Sequence, residues 1–464
     1  MTDLLLTHGY FLYEDPKEMQ ILKPYVPLGL LYICAHLRSK GFAVDVFDTT
    51  FSTMEELKKH LQSERPSVLG IYANLMTRKK VVEILQVARL AGWTTIVGGP
   101  EPGAYIREYL EAGADVVVLG EGEATMEELL PALHSKSDSE LQNVCGIAFL
   151  DESGNLHQTS PRAQLPDIDA LAWPARNAVD IRRYVETWRG AHGKGSLSFI
   201  TARGCPYHCR WCSHQVFGKT HRRRKPAKVV DEVEWLLKTY EPDMMWIADD
   251  VFTVHHGWLK AYAAEMRNRG LHIPFECITR ADRLNTESAD LLAELGCFRV
   301  WIGSESGSQK ILDAMERGVT VAQVQSAVDL CKSRGIQTGM FLMWGYDGEE
   351  MDDIEATIEH VKRTDPDVFF TTVAYPIKGT PYYAGNANSL VQLKPWRQSS
   401  DRELLLRGRH SPEFYGFADR LLQNEVQLAR LQRAGIDEAA QQGLRQQVTA
   451  LRECLYSTSS EVKA

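Results

Sequence analysis

Short apolar runs alternate with helical patterns along most of this chain, and that alternation restricts the possible folds more than any other feature. Aliphatic and β-branched runs between amphipathic stretches are typical of parallel strands covered by helices. The first part of the chain is therefore predicted to be a doubly wound, Rossmann-like α/β domain. Its predicted strands are LLLTHG (4–9), VDVFD (44–48), VLGIYA (68–73), TIVGG (95–99) and VVVLG (116–120).

The helices between these strands have recognisable ends. A proline followed by an apolar stretch and a final glycine predicts one helix over 27–41. Two further helices are predicted to begin with capping boxes, in which a threonine and a glutamate three residues later satisfy free backbone N–H groups. These boxes are Thr53-x-x-Glu56 and Thr125-x-x-Glu128.

Open parallel sheets of this kind bind ligands beyond the carboxyl ends of their strands. Three loops occupy those positions, so their residues are candidate binding residues. The alternative is that the glycines only permit turns, because no G-x-G-x-x-G fingerprint is present. The loops are Asn74 to Thr77, Gly98-Gly99-Pro100, and Gly120-Glu121-Gly122-Glu123.

A second series of strands and helices follows a predicted hairpin (144–158) and a proline-containing connector. Six βα units with right-handed crossovers predict an incomplete (β/α)6 barrel of the TIM type, open on one side. Chemistry in such barrels takes place at the carboxyl ends of the strands. The strand candidates are LSFITA (197–202), MMWIAD (244–249), PFECIT (274–279), RVWIGS (299–304), TGMFLMW (338–344) and VFFTTVA (368–374).

Beyond about residue 400 the pattern becomes helical and highly charged, with a predicted break near Gly435. The apolar stripe of these helices is either a packing face or a substrate lid or partner surface. The chain of 464 residues is longer than one core usually organises, so several domains are expected. We predict domains over 1–140, 141–194, 195–385 and 386–464.

Charge and hydropathy exclude several classes of function. The net charge of −9 argues against broad binding of nucleic acid. No stretch approaches the roughly 18 apolar residues of a membrane span, and the N-terminal residues lack the features of a signal peptide. We therefore expect a cytoplasmic protein with no integral membrane segment. In a reducing cytosol, clustered cysteines favour metal binding or redox chemistry over structural disulfides.

The stretch RGCPYHCRWC (203–212) gathers three of the nine cysteines in the spacing C-x3-C-x2-C, directly after the first barrel strand. Cysteine thiolates ligate iron–sulfur clusters. Cys205, Cys209 and Cys212 can hold three irons of a cubane [4Fe-4S] cluster and leave the fourth iron open to a ligand that is not part of the protein.

A zinc site is the main alternative, because His208 or His214 could complete a four-ligand Cys3His set. A disulfide with one free thiol is another.

The cysteine stretch resembles the cluster loop of the radical S-adenosylmethionine (SAM) superfamily, including an aromatic residue, Trp211, just before the third cysteine. In that family the open iron binds the amino and carboxylate groups of SAM. Cleavage of SAM yields methionine and a 5′-deoxyadenosyl radical. The resemblance therefore implies a [4Fe-4S] cluster, SAM, and an external electron donor of the flavodoxin or ferredoxin type.

Other strand ends resemble the same family. The segment ADDVF (248–252) is similar to its D-D-x-F segment, which places Asp250 near the SAM amino group. Arg280 resembles the basic residue for the SAM carboxylate, and a guanidinium suits that group as a bidentate donor. Glu305, in GSESGSQKILDAMERGVT (303–320), resembles the carboxylate that meets the amino or ribose groups. Gly345 to Glu349, and YPIKGTPYY (375–383), correspond to adenine contacts.

The N-terminal domain resembles the cobalamin-binding domain of cobalamin-dependent radical SAM enzymes, through YVPLGLLYICAHLRSKGFAVDVFD, IVGGPEPG and VVVLGEGEATMEELL. The resemblance covers roughly residues 1–385. It implies that Asn74, Thr77, Gly98, Gly99 and Pro100 bind cobalamin, as do Gly120, Glu121 and Gly122.

One departure from the pattern concerns the cobalt ligand. No D-x-H-x-x-G motif is present, and Glu101 occupies the position of a histidine that is frequent in relatives. We therefore expect cobalt without a protein imidazole, bound base-off, with the loop 74–78 facing its lower side.

The resemblance implies methylation of an unactivated carbon of a small-molecule substrate. One alternative is ring formation or rearrangement without methyl transfer, as in the anaerobic cyclase of chlorophyll biosynthesis. Another is a sensor without catalysis. The basic run HRRRK (221–225) either guides an anionic substrate or forms a solvated loop over the cluster.

Overall fold

A single sheet unites the first seven strands in the computed structural model, which describes residues 2–135, 138–435 and 438–459. The strands are β1 (Leu4–His8), β2 (Val44–Val46), β3 (Val68–Tyr72), β4 (Thr94–Gly98), β5 (Val116–Val118), β6 (Ile147–Leu150) and β7 (Leu156–Gln158). Their order in space is β2-β1-β3-β4-β5-β6-β7. The first five are parallel, and the predicted hairpin, β6 and β7, adds antiparallel strands to the same sheet.

Helices cover both faces of this sheet, as the doubly wound prediction requires. Along β1, Leu5 packs with the helices of one face, whereas Leu4 and Leu6 pack with those of the other. This alternation is the period of two that a strand imposes on its side chains. The helices are α1 (Pro16–Ile21), α2 (Leu28–Ser39), α3 (Met54–Ser63), α4 (Arg78–Leu90), α5 (Ile106–Glu111), α6 (Glu123–Ser135) and α7 (Asp138–Leu141).

One predicted capping box is confirmed and the other is wrong. Thr53 accepts a bond from the Glu56 N–H, and Glu56 bonds back to Thr53. Helix α6, in contrast, begins at Glu123, two residues before Thr125. The Thr125 hydroxyl donates to the Glu121 carbonyl oxygen at 3.1 Å, so this threonine lies inside the first turn and does not cap it.

Six parallel strands form the second sheet, in the order β15-β14-β13-β12-β11-β8, with β8 and β15 as its two edges. This confirms the open (β/α)6 barrel. The strands are β8 (Ser196–Phe199), β11 (Met244–Ile247), β12 (Phe275–Thr279), β13 (Cys297–Glu305), β14 (Gln337–Trp344) and β15 (Val368–Val373). A separate two-stranded hairpin joins β9 (Ala202–Arg203) and β10 (Arg222–Arg223).

The helices of the barrel pack on the outer face of the sheet through one large apolar core. In β13, for example, Val300 and Ile302 are buried against these helices. The helices are α8 (Ile181–His192), α9 (Pro226–Tyr240), α10 (His256–Asn268), α11 (Thr286–Glu294), α12 (Gln309–Ala314), α13 (Val321–Lys332) and α14 (Met351–Thr364).

The C-terminal part is helical, and its two long helices separate at the predicted position. Phe414 and Leu421 of the first helix pack against Trp344 and Ile358, so the apolar stripe is a packing face. The elements are α15 (Pro381–Gly385), β16 (Leu390–Val391), β17 (Leu405–Leu406), α16 (Pro412–Arg433) and α17 (Glu438–Ser459).

Short 3₁₀ helices connect several elements, at Leu12–Glu14, Pro102–Ala104, Ile168–Ala170, Arg176–Ala178, Ala281–Arg283, Ala387–Ser389, Trp396–Gln398 and Asp401–Glu403. Within the described parts of the chain, every helix is too short or too polar to cross a lipid bilayer. The domain limits at 140, 194 and 385 stay a prediction.

Candidate active site

A short hairpin positions the cysteine loop at the carboxyl end of β8. Gly204 joins β9 to Cys205 with φ at +82°, and a Cβ atom there would lie 2.2 Å from the Thr220 carbonyl oxygen. Only glycine fits both the left-handed backbone and the close approach. The Arg-Gly-Cys sequence is therefore required by the backbone as well as by the chemistry of the thiol.

The loop is fixed to the far side of the barrel through its backbone. The Arg210 N–H donates to the Met315 carbonyl oxygen at 3.1 Å, and the Arg210 carbonyl accepts from the Tyr382 N–H at 3.0 Å. Within the loop, the Cys212 N–H donates to the Cys209 carbonyl oxygen at 3.2 Å. These bonds hold the second and third cysteines in a defined turn.

Two guanidinium groups lie against Cys209, which is buried, whereas Cys205 is partly buried and Cys212 is exposed. The Nη1 atoms of Arg280 and Arg317 are 3.8 and 3.6 Å from the Cys209 sulfur. A hydrogen bond with Cys212 and the charges of Arg317 and Arg280 lower the pKa of Cys209, although burial opposes them. The site therefore favours a thiolate at Cys209, which is the form that ligates iron.

Arg280, the predicted SAM-carboxylate residue, is buried beside the cysteine loop. Its Nε donates to Asp282 at 2.9 Å, its Nη2 donates to the Arg317 carbonyl oxygen at 2.8 Å, and its guanidinium lies 3.7 Å from the centre of the Tyr207 ring. These contacts fix the guanidinium at the cysteine loop. Its contact with SAM stays a prediction.

Arg317 is a functional candidate that sequence reasoning missed. Its Nη2 donates to the Gly303 carbonyl oxygen at 3.0 Å, and its Nε lies 3.8 Å from a Glu305 carboxylate oxygen. The stretch GSESGSQKILDAMERGVT contains both Glu305 and Arg317, twelve residues apart, so the resemblance that indicates Glu305 could also have indicated Arg317. Arg317 links the end of β13 to the Cys209 sulfur.

The predicted acidic residues lie near the thiols. Glu305 ends β13 with φ at +62°, and burial raises the pKa of its carboxyl to about 7. Asp250 is exposed, and its charge acts together with burial to raise the pKa of Cys205. Asp249 has a different role, because its carboxylate accepts bonds from the N–H groups of Thr201 and Ala202 and so shapes the chain before the loop.

Trp211 and Gly345 occupy the other end of the site. The Trp211 ring lies 6.4 Å from the ring of Tyr346, edge to face. Gly345 has φ at +70°, and its N–H donates to Glu349 at 2.6 Å. The structure thus brings the residues after the fifth strand close to the tryptophan of the cysteine loop, while their SAM contacts stay predictions.

The three cysteine thiols fit an iron–sulfur cluster better than a single metal ion. Within residues 2–135, 138–435 and 438–459, no three His, Cys, Asp or Glu side chains are arranged to hold one metal ion. A cubane presents a separate iron to each thiolate, whereas structural zinc requires four ligands around one ion. His208 is exposed and the Nε2 atom of His214 is buried, without a hydrogen-bond partner in the described chain.

The loops at the carboxyl edge of the first sheet contain the predicted cobalamin residues. Asn74 and Thr77 bond to each other's backbone, which closes the loop before α4. Gly99 has φ at +117°, and a Cβ atom there would lie 2.4 Å from the Ala73 carbonyl oxygen. Pro100 follows, partly exposed. Gly98, Gly120 and Gly122 lie in the same row of loops, so the edge offers backbone and little side-chain bulk.

Glu121 is the exception among these residues. One carboxylate oxygen accepts from Arg203 at 2.8 Å, and the other accepts from Arg222 at 2.7 Å and from the Leu165 N–H at 2.9 Å. Glu123 accepts a second bond from Arg203, at 2.6 Å. The Glu121 side chain is thus held by Arg203, Arg222 and the Leu165 N–H.

Glu101 forms a buried ion pair with Arg78. Arg78 also bonds to Asp401, at 2.6 Å, which brings the C-terminal segment onto the first domain. His8, at the end of β1, uses its ring nitrogens for Asp48 and Thr49. These contacts support cobalt without a protein imidazole, which stays a prediction.

The three arginines of the basic run 221–225 do not form a solvated surface. Arg222 bonds to Glu121, Arg223 bonds to Asp249 at 3.1 Å, and Arg224 pairs with Glu232. Buried carboxylates pair with these three charges, whereas Lys225 is exposed. The solvated-loop alternative is therefore wrong for the arginines, and a role of the run in guiding an anionic substrate stays a prediction.

Comparison with known proteins agrees with this geometry. Residues 199–361 match the Radical SAM superfamily, and residues 20–130 match the B12 binding domain. An uncharacterized methyltransferase of Pyrococcus horikoshii, PH0819, is 28% identical over 400 residues, which are 83% of each chain. The anaerobic magnesium-protoporphyrin IX monomethyl ester cyclase of Rubrivivax gelatinosus is 25% identical over 75% of this chain and 64% of its own.

Among solved structures, the cobalamin-dependent S-adenosylmethionine radical enzyme OxsB with aqua-cobalamin bound has the same fold. Its TM-score is 0.77 at 16% identity, over 98% of this chain and 80% of that one. The fold and the two matched domains define a cobalamin-dependent radical SAM enzyme. This chain is such an enzyme, of the methyltransferase-like kind, and its cofactors are a [4Fe-4S] cluster, SAM and cobalamin.

We expect each of Cys205→Ala, Cys209→Ala and Cys212→Ala to abolish formation of 5′-deoxyadenosine while cobalamin stays bound, because the cysteines hold the cluster and the other domain holds cobalamin. Iron analysis, cobalamin absorption and product quantification measure this. His208→Ala and His214→Ala are the matched controls, and both should keep their iron. Loss of iron in either histidine variant would restore the zinc alternative.

Burial raises the pKa of the Glu349 carboxyl from 4.5 to about 8. The folded protein without SAM therefore keeps a proton that the unfolded chain releases above about pH 4.5. We expect this contribution to the free energy of unfolding to be present below about pH 4.5 and to be lost as the pH rises through 8.

Urea unfolding across this pH range measures the effect. Glu349→Gln should flatten the dependence, because glutamine does not titrate. Glu359→Gln, on the exposed face of α14, is the control and should follow the original curve. An identical pH dependence in Glu349→Gln and the unaltered protein would contradict the assignment.

Proposed function

We propose that this protein methylates an unactivated carbon of a small-molecule substrate. One observation carries the proposal: the cysteine loop and the glycine-rich edge of the cobalamin-binding domain face each other. A Cβ atom on Gly103 would lie 3.2 Å from Gln215 Oε1, and one on Gly120 would lie 3.8 Å from the Val216 carbonyl oxygen. Both neighbours belong to the loop that follows Cys212.

Residues at the barrel edge and residues at the edge of the first sheet have separate roles in this reaction. When bound, the cluster and SAM supply a 5′-deoxyadenosyl radical and cobalamin supplies the methyl group. The three cysteines hold the cluster, while Arg280 and Arg317 place positive charge at the Cys209 sulfur. We propose that Asp250, Glu305, Gly345 and Trp211 orient SAM. The two edges hold the reacting atoms together, and such positioning removes a large part of a reaction barrier.

The external electron donor is proposed to be a flavodoxin or ferredoxin, because the cluster must be reduced before SAM is cleaved. We also propose a cytoplasmic location, since reducing surroundings keep the nine cysteines free of disulfides.

Oxidative ring formation without methyl transfer is the second candidate. The similarity to the Rubrivivax gelatinosus cyclase, which covers 75% of this chain, favours it. Both reactions begin with abstraction of a substrate hydrogen atom, so the same cysteine loop serves either. They differ in whether the substrate radical receives a methyl group.

One assay separates these reactions. The anaerobic protein, reconstituted with cluster and cobalamin, is incubated with SAM, reductant and candidate lipids, tetrapyrroles and natural-product intermediates. Methylation yields 5′-deoxyadenosine and S-adenosylhomocysteine in equal amounts, because one SAM is consumed for each product.

Cys209→Ala provides the background. Substrate-dependent 5′-deoxyadenosine without S-adenosylhomocysteine would refute methylation and favour ring formation or rearrangement. Neither product, with a reduced cluster and bound SAM verified, would favour a sensor.

A further inference from the structure

Four charged residues connect the two cofactor domains: Arg203 and Arg222 of the barrel, and Glu121 and Glu123 of the first domain. We infer that these interdomain ion pairs are a positioning contact that fixes the distance and angle between the cluster loop and the cobalamin-binding edge. The inference deepens the proposed function, because it concerns how the two cofactors are held toward one substrate.

The geometry of the contact is specific. Arg203 divides its guanidinium between the two carboxylates, with Nη1 at 2.8 Å from Glu121 and Nη2 at 2.6 Å from Glu123. Arg222 approaches the second oxygen of Glu121 at 2.7 Å. A planar guanidinium with several fixed donors sets direction as well as distance, which a lysine does not do.

Both sides of the contact lie next to cofactor positions. Arg203 is two residues before Cys205 in the chain, with only Gly204 between them. Glu121 lies between Gly120 and Gly122, in the loop that follows β5. A displacement of either carboxylate is therefore transmitted over one or two residues to the loop that holds a cofactor.

Burial distinguishes this contact from an ordinary surface ion pair. Arg203, Glu121 and Glu123 are 5%, 6% and 3% exposed. Removing charges from water offsets most of their attraction, so buried pairs contribute little net stability. Loss of one partner leaves a buried charge unpaired, which is strongly destabilising. The fixed geometry of the contact therefore supports a positioning role more directly than a net gain in stability.

The test uses the full chain loaded with cluster and cobalamin, and compares Glu121→Gln with Glu232→Gln. Glu232 is the matched control because it is also buried and paired with arginines, Arg176 and Arg224, but Glu232 and both partners lie outside the matched B12 binding domain, so this contact does not join the two cofactor domains. The primary readout is the enhancement of cob(II)alamin spin relaxation by the reduced cluster in frozen solution, which depends steeply on the distance between the two centres.

We expect Glu121→Gln to change this relaxation enhancement and to lower the ratio of methylated product to 5′-deoxyadenosine by up to about 100-fold, the loss that a misplacement of about 1 Å produces. Glu121→Gln should still bind cobalamin, because the carboxylate is held by Arg203, Arg222 and the Leu165 N–H. Glu121→Asp, which keeps the charge, should restore part of the relaxation signal. Glu232→Gln should match the unaltered protein.

Unaltered relaxation in Glu121→Gln, or an equal change in Glu232→Gln, would overturn the inference. Loss of cobalamin binding in Glu121→Gln would overturn it in favour of a direct cofactor contact. If Glu121→Gln does not fold, Arg203→Lys takes its place and must show the same relaxation change. The relaxation measurement needs no substrate, so its outcome does not depend on which reaction the enzyme catalyses. An enzyme that proves to be a cyclase would refute the proposed methylation, but it would not affect the inferred positioning contact.

Discussion

The ion pairs between Arg203 and two glutamates join the first sheet to the barrel directly beside the cysteine loop. Each sheet delivers the carboxyl ends of its parallel strands to one edge, which is where such sheets bind ligands. One edge contains glycine-rich loops and the other contains three cysteines. Chemistry that needs both cofactors requires the edges to face each other, and the ion pairs occur directly beside both.

A second group of charges acts inside the barrel. Arg280 and Arg317 bring two guanidinium groups within 4 Å of the Cys209 sulfur, and Glu305 lies next to Arg317. A cluster held by three thiolates accumulates negative charge in a largely buried site. The guanidinium groups of Arg280 and Arg317 compensate this negative charge. They leave the coordination positions of iron free, because a guanidinium does not bind iron. The proposed open iron would then be available to SAM.

The structural features that depend on a local pattern of residues could be predicted from the sequence. Strands β1, β3 and β14 were recognised from their apolar runs, the Thr53 cap from its spacing, and the cluster loop from its three cysteines. One error is local, because Thr125 lies inside the first turn of α6 and does not cap it. Other contacts join distant residues: Arg78 meets Asp401 across 323 positions, and Arg222 meets Glu121 across 101. Such pairs leave no periodic signal, so the basic run 221–225 has the pattern of a solvated surface although its arginines pair with buried carboxylates.

The central claim is that the three cysteines leave one iron of the cluster open for SAM. Electron–nuclear double resonance of the reduced cluster, with SAM labelled by ¹⁵N at its amino group, tests this directly in the protein without substrate. We predict a ¹⁵N hyperfine coupling that is present with labelled SAM and absent without it, because the SAM amino nitrogen should bind the open iron. No coupling, with SAM binding verified in the same sample, would contradict it.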